Sequence, residues 1–133
     1  PYETGLGFAV KLGKEGDFLG KARLAKQKAE EGPAYRHRMV SIKVPELTAE
    51  AGPYLIHNEP IWKGREIVGH VTSGDWGFRL DAMVGLATVE KAGGASKDWI
   101  EEGGFEVQIA GKMYPIEAQL GPFYDPKGDV MRS

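Results

Sequence analysis

The residues best able to do chemistry in this chain are few, and most of their spacings fail a physical requirement. Gly16-Asp17-Phe18-Leu19-Gly20-Lys21-Ala22 has the outline of a phosphate loop but is one residue short between its glycines. Ala22 also stands where a metal-binding hydroxyl is needed, so the segment reads as a turn into a helix. Ser73, in Val71-Thr72-Ser73-Gly74, lacks the leading glycine of a nucleophile elbow and reads as a strand-end turn. His37, His57 and His70 lack the spacing that puts two imidazoles on one metal-binding face, so no metal site is expected. Glu101-Glu102, with Asp98 nearby, supplies carboxylates, but nothing apolar encloses them as acid–base work would require. No residue is therefore assigned a catalytic role. What remains is aromatic: Asp75-Trp76-Gly77-Phe78 and Phe123-Tyr124-Asp125-Pro126. Large rings in Gly-flanked loops at a barrel mouth stack flat ligands, and they equally dock a domain onto its neighbour. Both readings stand at this point.

The elements that must position these rings follow from apolar periodicity. Residues 5–12 alternate, with Leu6, Phe8 and Val10 against Gly7, Ala9 and Lys11, which predicts a strand. Over residues 17–31 the period lengthens. Phe18, Ala22, Ala25 and Ala29, with Leu24 beside them, form the apolar stripe of an amphipathic helix stopped by Gly32-Pro33. Residues 35–44 alternate again, and residues 46–53 form a loop closed by Gly52-Pro53. Pro60-Ile61-Trp62, a Lys63-Gly64 turn and residues 66–73 predict a hairpin. Residues 73–81 are broken by glycine and read as an aromatic loop. Residues 83–89 form an apolar run buried on both faces, and Trp99 sits in a short helical connection over 96–102. Residues 105–109 and 112–119 flank Ala110-Gly111 as a second hairpin. Six short strands after one helix predict a mainly β fold, a small six-stranded Greek-key β-barrel preceded by a strand–helix lead-in.

Composition bounds what such a fold does. The chain has 133 residues, enough for one ordinary domain with its own core. Seventeen Lys+Arg against 19 Asp+Glu give no general pull toward nucleic acid or an anionic membrane. The basic positions Lys21, Arg23, Lys26, Lys28, Arg36 and Arg38 are diluted by Glu30 and Glu31 and carry no interleaved aromatics, so no nucleic-acid partner is expected. Zero cysteines remove disulfides, zinc ribbons, iron–sulfur ligation and thiol chemistry, and suit a reducing, cytoplasmic setting. No stretch approaches the ~18 apolar residues of a membrane span. The opening at Pro1-Tyr2-Glu3, in mid-pattern, suggests a piece of a longer protein.

Two segments carry a family likeness. Tyr2-Glu3-Thr4-Gly5-Leu6-Gly7-Phe8 followed by Asp17-Phe18-Leu19-Gly20-Lys21-Ala22-Arg23-Leu24 resembles the EAGL(G)W/F…DF(I/L)G(R/K)xxL passage of the glycine-cleavage T-protein (aminomethyltransferase) family. Glu59-Pro60-Ile61, Gly64 and Gly69-His70-Val71-Thr72-Ser73-Gly74, then residues 82–89, are similar to that family's barrel signature. The likeness runs across nearly the whole chain. It implies that residues 1–32 are the tail of a folate-binding domain and residues 33–133 the C-terminal aminomethyltransferase β-barrel. The family's catalytic Asp and pterin-holding Glu match no position here, so the chain by itself is expected to be inactive.

Where T-proteins carry an Arg after the residue matching Leu55, this chain has Ile56. Glu59-Pro60-Ile61, Asp75-Trp76-Gly77-Phe78 and Phe123-Tyr124-Asp125-Pro126-Lys127-Gly128 look more like the flavin-linked dimethylglycine and sarcosine dehydrogenases. That branch implies upstream flavoprotein (FAD) and folate-binding domains as partners, with tetrahydrofolate capturing a one-carbon unit from an oxidised N-methyl amine. Under the aminomethyltransferase alternative the partner is a lipoyl carrier protein. A third reading is a noncatalytic folate-binding or interaction barrel. Trp76 and Tyr124 are the candidates for facing the folate, with His57 and Glu59 as further polar candidates.

Overall fold

Strands whose apolar residues alternate with polar ones close into a tube when each can find two neighbours, and here all of them do. The computed structural model describes residues 1–32, 34–49 and 52–132. Pro33, read above as a helix stop and domain boundary, and residues 50–51 of the predicted loop lie outside the described residues. The barrel strands are β1 (His37–Val44), β2 (Pro60–Lys63), β3 (Glu66–Gly77), β4 (Ala82–Glu90), β5 (Phe105–Ile109) and β6 (Lys112–Gln119). They close in the order β1-β4-β3-β2-β5-β6, and every pairing is antiparallel. The consecutive strands β2, β3 and β4 with β1 beside β4 make the expected Greek key.

Inward positions follow the alternation. Val40, Ile42 and Val44 of β1, Val71 of β3, Met83, Ala87 and Val89 of β4, and Val107 of β5 are all buried in one cluster. One end is plugged by α2 (Lys97–Glu101), which starts where the Ser96 hydroxyl accepts a hydrogen bond from the Trp99 backbone N–H at 3.2 Å. Ile100 is buried there, and Trp99 meets Phe105 edge to face at 5.1 Å. Lys63 crosses beneath: its Nζ donates to the carbonyls of Gly103 (2.6 Å) and Trp99 (3.1 Å) and lies 4.5 Å from the Phe105 ring centre. The other end is filled by Leu55. A Cβ at Gly74 would sit 2.3 Å from the Leu55 Cβ, and one at Gly85 would sit 3.3 Å from its Cδ1. Gly74 on β3 and Gly85 on β4 are therefore sites where backbone must make room for a neighbouring side chain.

Three expectations are corrected. Residues 5–12 do not form a strand: Leu6–Ala9 is a 3₁₀ turn. Gly5 adopts φ 79°, and the N–H groups of Gly5, Leu6 and Val10 bond to the carbonyls of Tyr2, Pro1 and Gly7, so local turns consume the donors that a strand would offer. The predicted helix over 17–31, α1 (Lys21–Glu31), begins only after Gly20 at φ 89°. Its anticipated stripe of Phe18, Ala22, Ala25 and Ala29 is exposed, while Lys21, Leu24, Gln27 and Glu31 are half-buried. Finally, Asp75 and Trp76 are not in a loop, because β3 stays paired with β4 through Gly77. A short last helix, α3 (Asp129–Arg132), follows the barrel, capped by the Asp125 carboxylate, which accepts from the Asp129 N–H at 2.7 Å. No helix among the described residues is long and apolar enough to cross a membrane.

The lead-in touches the barrel through few groups. Tyr2 is buried, its ring stacked 5.5 Å from that of Tyr35. Burial holds the Tyr35 phenol above its ordinary pKa, and the neighbouring Tyr2 adds to the effect. The Glu3 carbonyl accepts from the Met39 N–H at 2.8 Å.

Candidate functional site

The outer face of β1, β4 and β3 carries a groove that takes in the predicted site residue Tyr124. A bulge at Thr72 sets its lining. Val71 pairs with Ala87 facing inward, and the next pair is Ser73 with Leu86, so one extra residue on β3 flips the phase. Ser73 and Asp75 consequently point outward, while Gly74 and Trp76 face the barrel interior. Ser41, Leu86 and Ser73 then form one cross-strand row, and Lys43, Val84 and Asp75 the next. The C-terminal segment walls the groove with Pro122, Phe123 and Tyr124. That wall is pinned by the Gln119 amide, which donates to the Pro122 carbonyl at 2.8 Å, and by Lys43, whose Nζ lies 5.5 Å from the Phe123 ring centre.

The groove encloses about 560 Å³ and is lined mostly by apolar atoms. That volume falls within the range of small-molecule sites, which are mainly apolar with a few placed polar groups. Its polar groups are the hydroxyls of Ser41 and Ser73 and the Asp75 carboxylate, whose Oδ1 accepts from the Trp76 backbone N–H at 2.7 Å. Such a surface can stack a flat ring on Tyr124 and accept a hydrogen bond at Asp75. It holds no nucleophile–base pair, and among the described residues no group of three or more His, Asp or Glu is arranged for a metal.

The four sequence candidates are not brought together. Tyr124 lies in the groove. Trp76 is on the other face of β3, packed half-buried against the core cluster. His57 and Glu59 lie on the connection into β2 at the Leu55 end: His57 is exposed, and the Glu59 Oε1 accepts from the Ile56 N–H at 2.8 Å. The Glu59 Oε2 is buried without a partner among the described residues. Ile56 and Tyr54, beside them, are exposed apolar side chains. Ser41, Ser73 and Leu86 were missed as groove residues. The outward register of residues 35–44 could have found Ser41, but Ser73 depends on the bulge.

A larger cleft of about 880 Å³ lies toward the opposite end, bordered by His37, Glu66, His70, Glu90, Lys91 and Trp99. It contains none of the predicted site residues. Arg36 donates a hydrogen bond to Glu90 and forms an ion pair with it. That bond, more than the nearby charges, holds the Glu90 carboxyl below the usual carboxylate range.

Comparison with known proteins places this geometry. The 4-methylaminobutanoate oxidase (formaldehyde-forming) of Paenarthrobacter nicotinovorans is 36% identical over 132 residues, covering 99% of this chain and 14% of that protein. Human mitochondrial sarcosine dehydrogenase is 31% identical over 128 residues, covering 95% and 13%. An aminomethyltransferase of Bacillus cereus (strain B4264) is 35% identical over 124 residues, covering 93% and 30%. The chain thus spans less than a third of each of these relatives. The glycine cleavage system aminomethyltransferase T of Bartonella henselae superposes with a TM-score of 0.72 over 95% of this chain and 32% of its own, at 19% identity, and shares the fold. Residues 38–125, which run from β1 through Tyr124, match the glycine cleavage T-protein C-terminal barrel domain. The chain belongs to that family.

Proposed function

We propose that this barrel is the C-terminal module of a folate-dependent one-carbon enzyme that oxidises an N-methyl amine. In this reading the Tyr124 groove forms part of the wall of the chamber in which tetrahydrofolate captures the released carbon. The observation that carries it is the match to the 4-methylaminobutanoate oxidase over 132 residues, which takes in both the lead-in and the C-terminal wall of the groove. The exposed Ile56, where the resemblance leads one to expect Arg in an aminomethyltransferase, supports the same branch.

The residues present fit a pterin or aminobenzoyl ring: Tyr124 and Phe123 offer aromatic faces, and Ser73 and Asp75 offer polar contacts. Bound tetrahydrofolate would supply nucleophilic nitrogen for a formaldehyde-level carbon. The task of this chain is to orient and to exclude water, since such a carbon is otherwise lost to solvent. Glu59 fixes the His57 loop through the Ile56 N–H, so that loop is the second contact region in this reading. The exposed stripe on α1 is the surface that an upstream folate-binding domain would cover, with flavin carried further upstream. The aminomethyltransferase reading, with a lipoyl carrier protein as partner, is kept by the 35% identity to the Bacillus cereus enzyme.

The test is Tyr124→Ala in the full-length parent enzyme, with amine oxidation and the fate of the carbon followed separately. The expected result is unchanged amine oxidation, with the ratio of free formaldehyde to folate-bound carbon rising roughly threefold to tenfold. An unchanged ratio refutes the role of Tyr124. A parent without flavin absorbance refutes the dehydrogenase branch.

A further inference from the structure

The groove over β1, β4 and β3 joins aromatic rings to a single sign of charge. Among the described residues that line it, Asp75 is the one charged side chain; the others are apolar, aromatic or hydroxyl-bearing, with two glycines. Lys43 shares a cross-strand row with Asp75 but does not line the groove. Its Nζ is committed to Glu117 at 2.8 Å and lies over the Phe123 ring. Arg79 and Asp81, on the turn between β3 and β4, carry one charge of each sign, and neither lines the groove. No ion pair among the described residues includes Asp75. The Trp76 N–H occupies its Oδ1, which leaves Oδ2 to accept from a ligand.

We propose that this groove is a cation site that takes an N-methylated ammonium, with its N–H donors toward Asp75 and its methyl groups against the Tyr124 ring. The two halves of such a cation match the two halves of the groove. Its N–H groups are charged donors, which a carboxylate accepts strongly and the Ser41 and Ser73 hydroxyls accept beside it. Its methyl groups spread the positive charge over a surface that is attracted to an aromatic face. Lys43 already occupies the Phe123 ring, so Tyr124 is the ring left for the ligand. An anion meets Asp75 and no lining cation, and a neutral ring gains stacking alone.

The identity of the amine rests on the one-carbon reading above, in which an N-methyl amine is the cationic reactant; the preference for a cation does not. A small ammonium leaves room within about 560 Å³ for a flat ring beside it. Asp75 and Tyr124 are both exposed, so the cation keeps part of its hydration and binds this chain weakly.

The test is an NMR titration of the backbone amides of the 133-residue chain at neutral pH and fixed ionic strength. The probes are dimethylammonium, which has charge and methyls, ammonium, which has the charge alone, and isopropanol, which has the methyls alone. Dimethylammonium should shift residues 73–75, 84–86 and 123–124 and saturate with a Kd on the order of 10 mM. Ammonium and isopropanol should not saturate at about tenfold higher concentration. Asp75→Asn, which can still accept from the Trp76 N–H, and Tyr124→Leu, which keeps apolar bulk, should each weaken binding about two- to fivefold. Unmoved strand amides elsewhere show that each variant has folded. Equal saturation by isopropanol, or unchanged binding in Asp75→Asn, overturns the cation site. The ratio of free to folate-bound carbon in the Tyr124→Ala parent enzyme reads the chamber separately. Cation binding with an unchanged ratio refutes the chamber and leaves the site, whereas a changed ratio without cation binding refutes the site and leaves the chamber.

Discussion

Replacing Leu55 with alanine tests the central packing claim, that one side chain plugs an end of the barrel against two glycines. Leu55 is 2% exposed. Removing three carbons forfeits about 2.4 kcal/mol of transfer free energy, at about 0.8 kcal/mol per group. A residual cavity of roughly 60 Å³ adds about 1.5 kcal/mol, for a total near 4 kcal/mol. The site cannot collapse cheaply, because Gly74 and Gly85 have no side chains to move in. Nor can either glycine be refilled. A methyl at Gly74 lands 2.3 Å from the Leu55 Cβ, an atom that alanine keeps, and a methyl at Gly85 lands 2.6 Å from the Ser73 carbonyl oxygen. Urea unfolding followed by tryptophan fluorescence measures the loss. A loss below about 1.5 kcal/mol, or rescue of Leu55→Ala by Gly74→Ala or Gly85→Ala, would refute the plug.

Two further outcomes follow from the same end-plug and cleft geometry. Lys63→Met keeps much of the aliphatic stem but leaves the Trp99 and Gly103 carbonyls without their cation, and should cost about 1–3 kcal/mol in the same unfolding assay. Wild-type stability would then be matched only if those carbonyls were already bonded to solvent. Glu90 has its folded pKa below the ordinary value of 4.5, so its contribution is present above that value and lost as pH falls through the lowered one. Glu90→Gln should therefore remove part of the acid-side slope of stability against pH while leaving the alkaline side unchanged, and a slope identical to wild type would contradict the Arg36 bond.

How far this fold could be read from its residues depended on whether the decisive contact was local. The strands from β1 to β6 were legible from their alternation and turn residues, as was the short helical connection around Trp99; the run 83–89, read as buried on both faces, instead exposes Leu86 on the outer wall. Residues 5–12 misled because alternation counts only side chains, and Gly5 at a positive φ turns the chain before a partner strand can form. Glycine misled in the opposite sense at Gly74: it looked like a break, and the reason for it is Leu55, nineteen positions away in sequence. The helix over α1 was legible as a helix but not in its orientation, since its half-buried face carries Gln27, which bonds to Glu3 far back in the lead-in. The groove was the least legible feature. It assembles Ser41, Ser73 and Tyr124 from three distant segments, and the side on which Trp76 falls depends on a single bulged threonine.

The closed order of the strands has a consequence for assembly. With β1 bonded to both β4 and β6, and β2 to both β3 and β5, each barrel strand has a neighbour on both sides over at least part of its length. Closure leaves only short stretches of edge for strand addition, so the larger surface open to a partner is the side chains of the outer wall and the two ends. Such a module can be joined to unrelated upstream domains by changing surface residues alone, with its hydrogen-bond ladder left intact. That freedom is consistent with one barrel recurring in an oxidase, a dehydrogenase and an aminomethyltransferase.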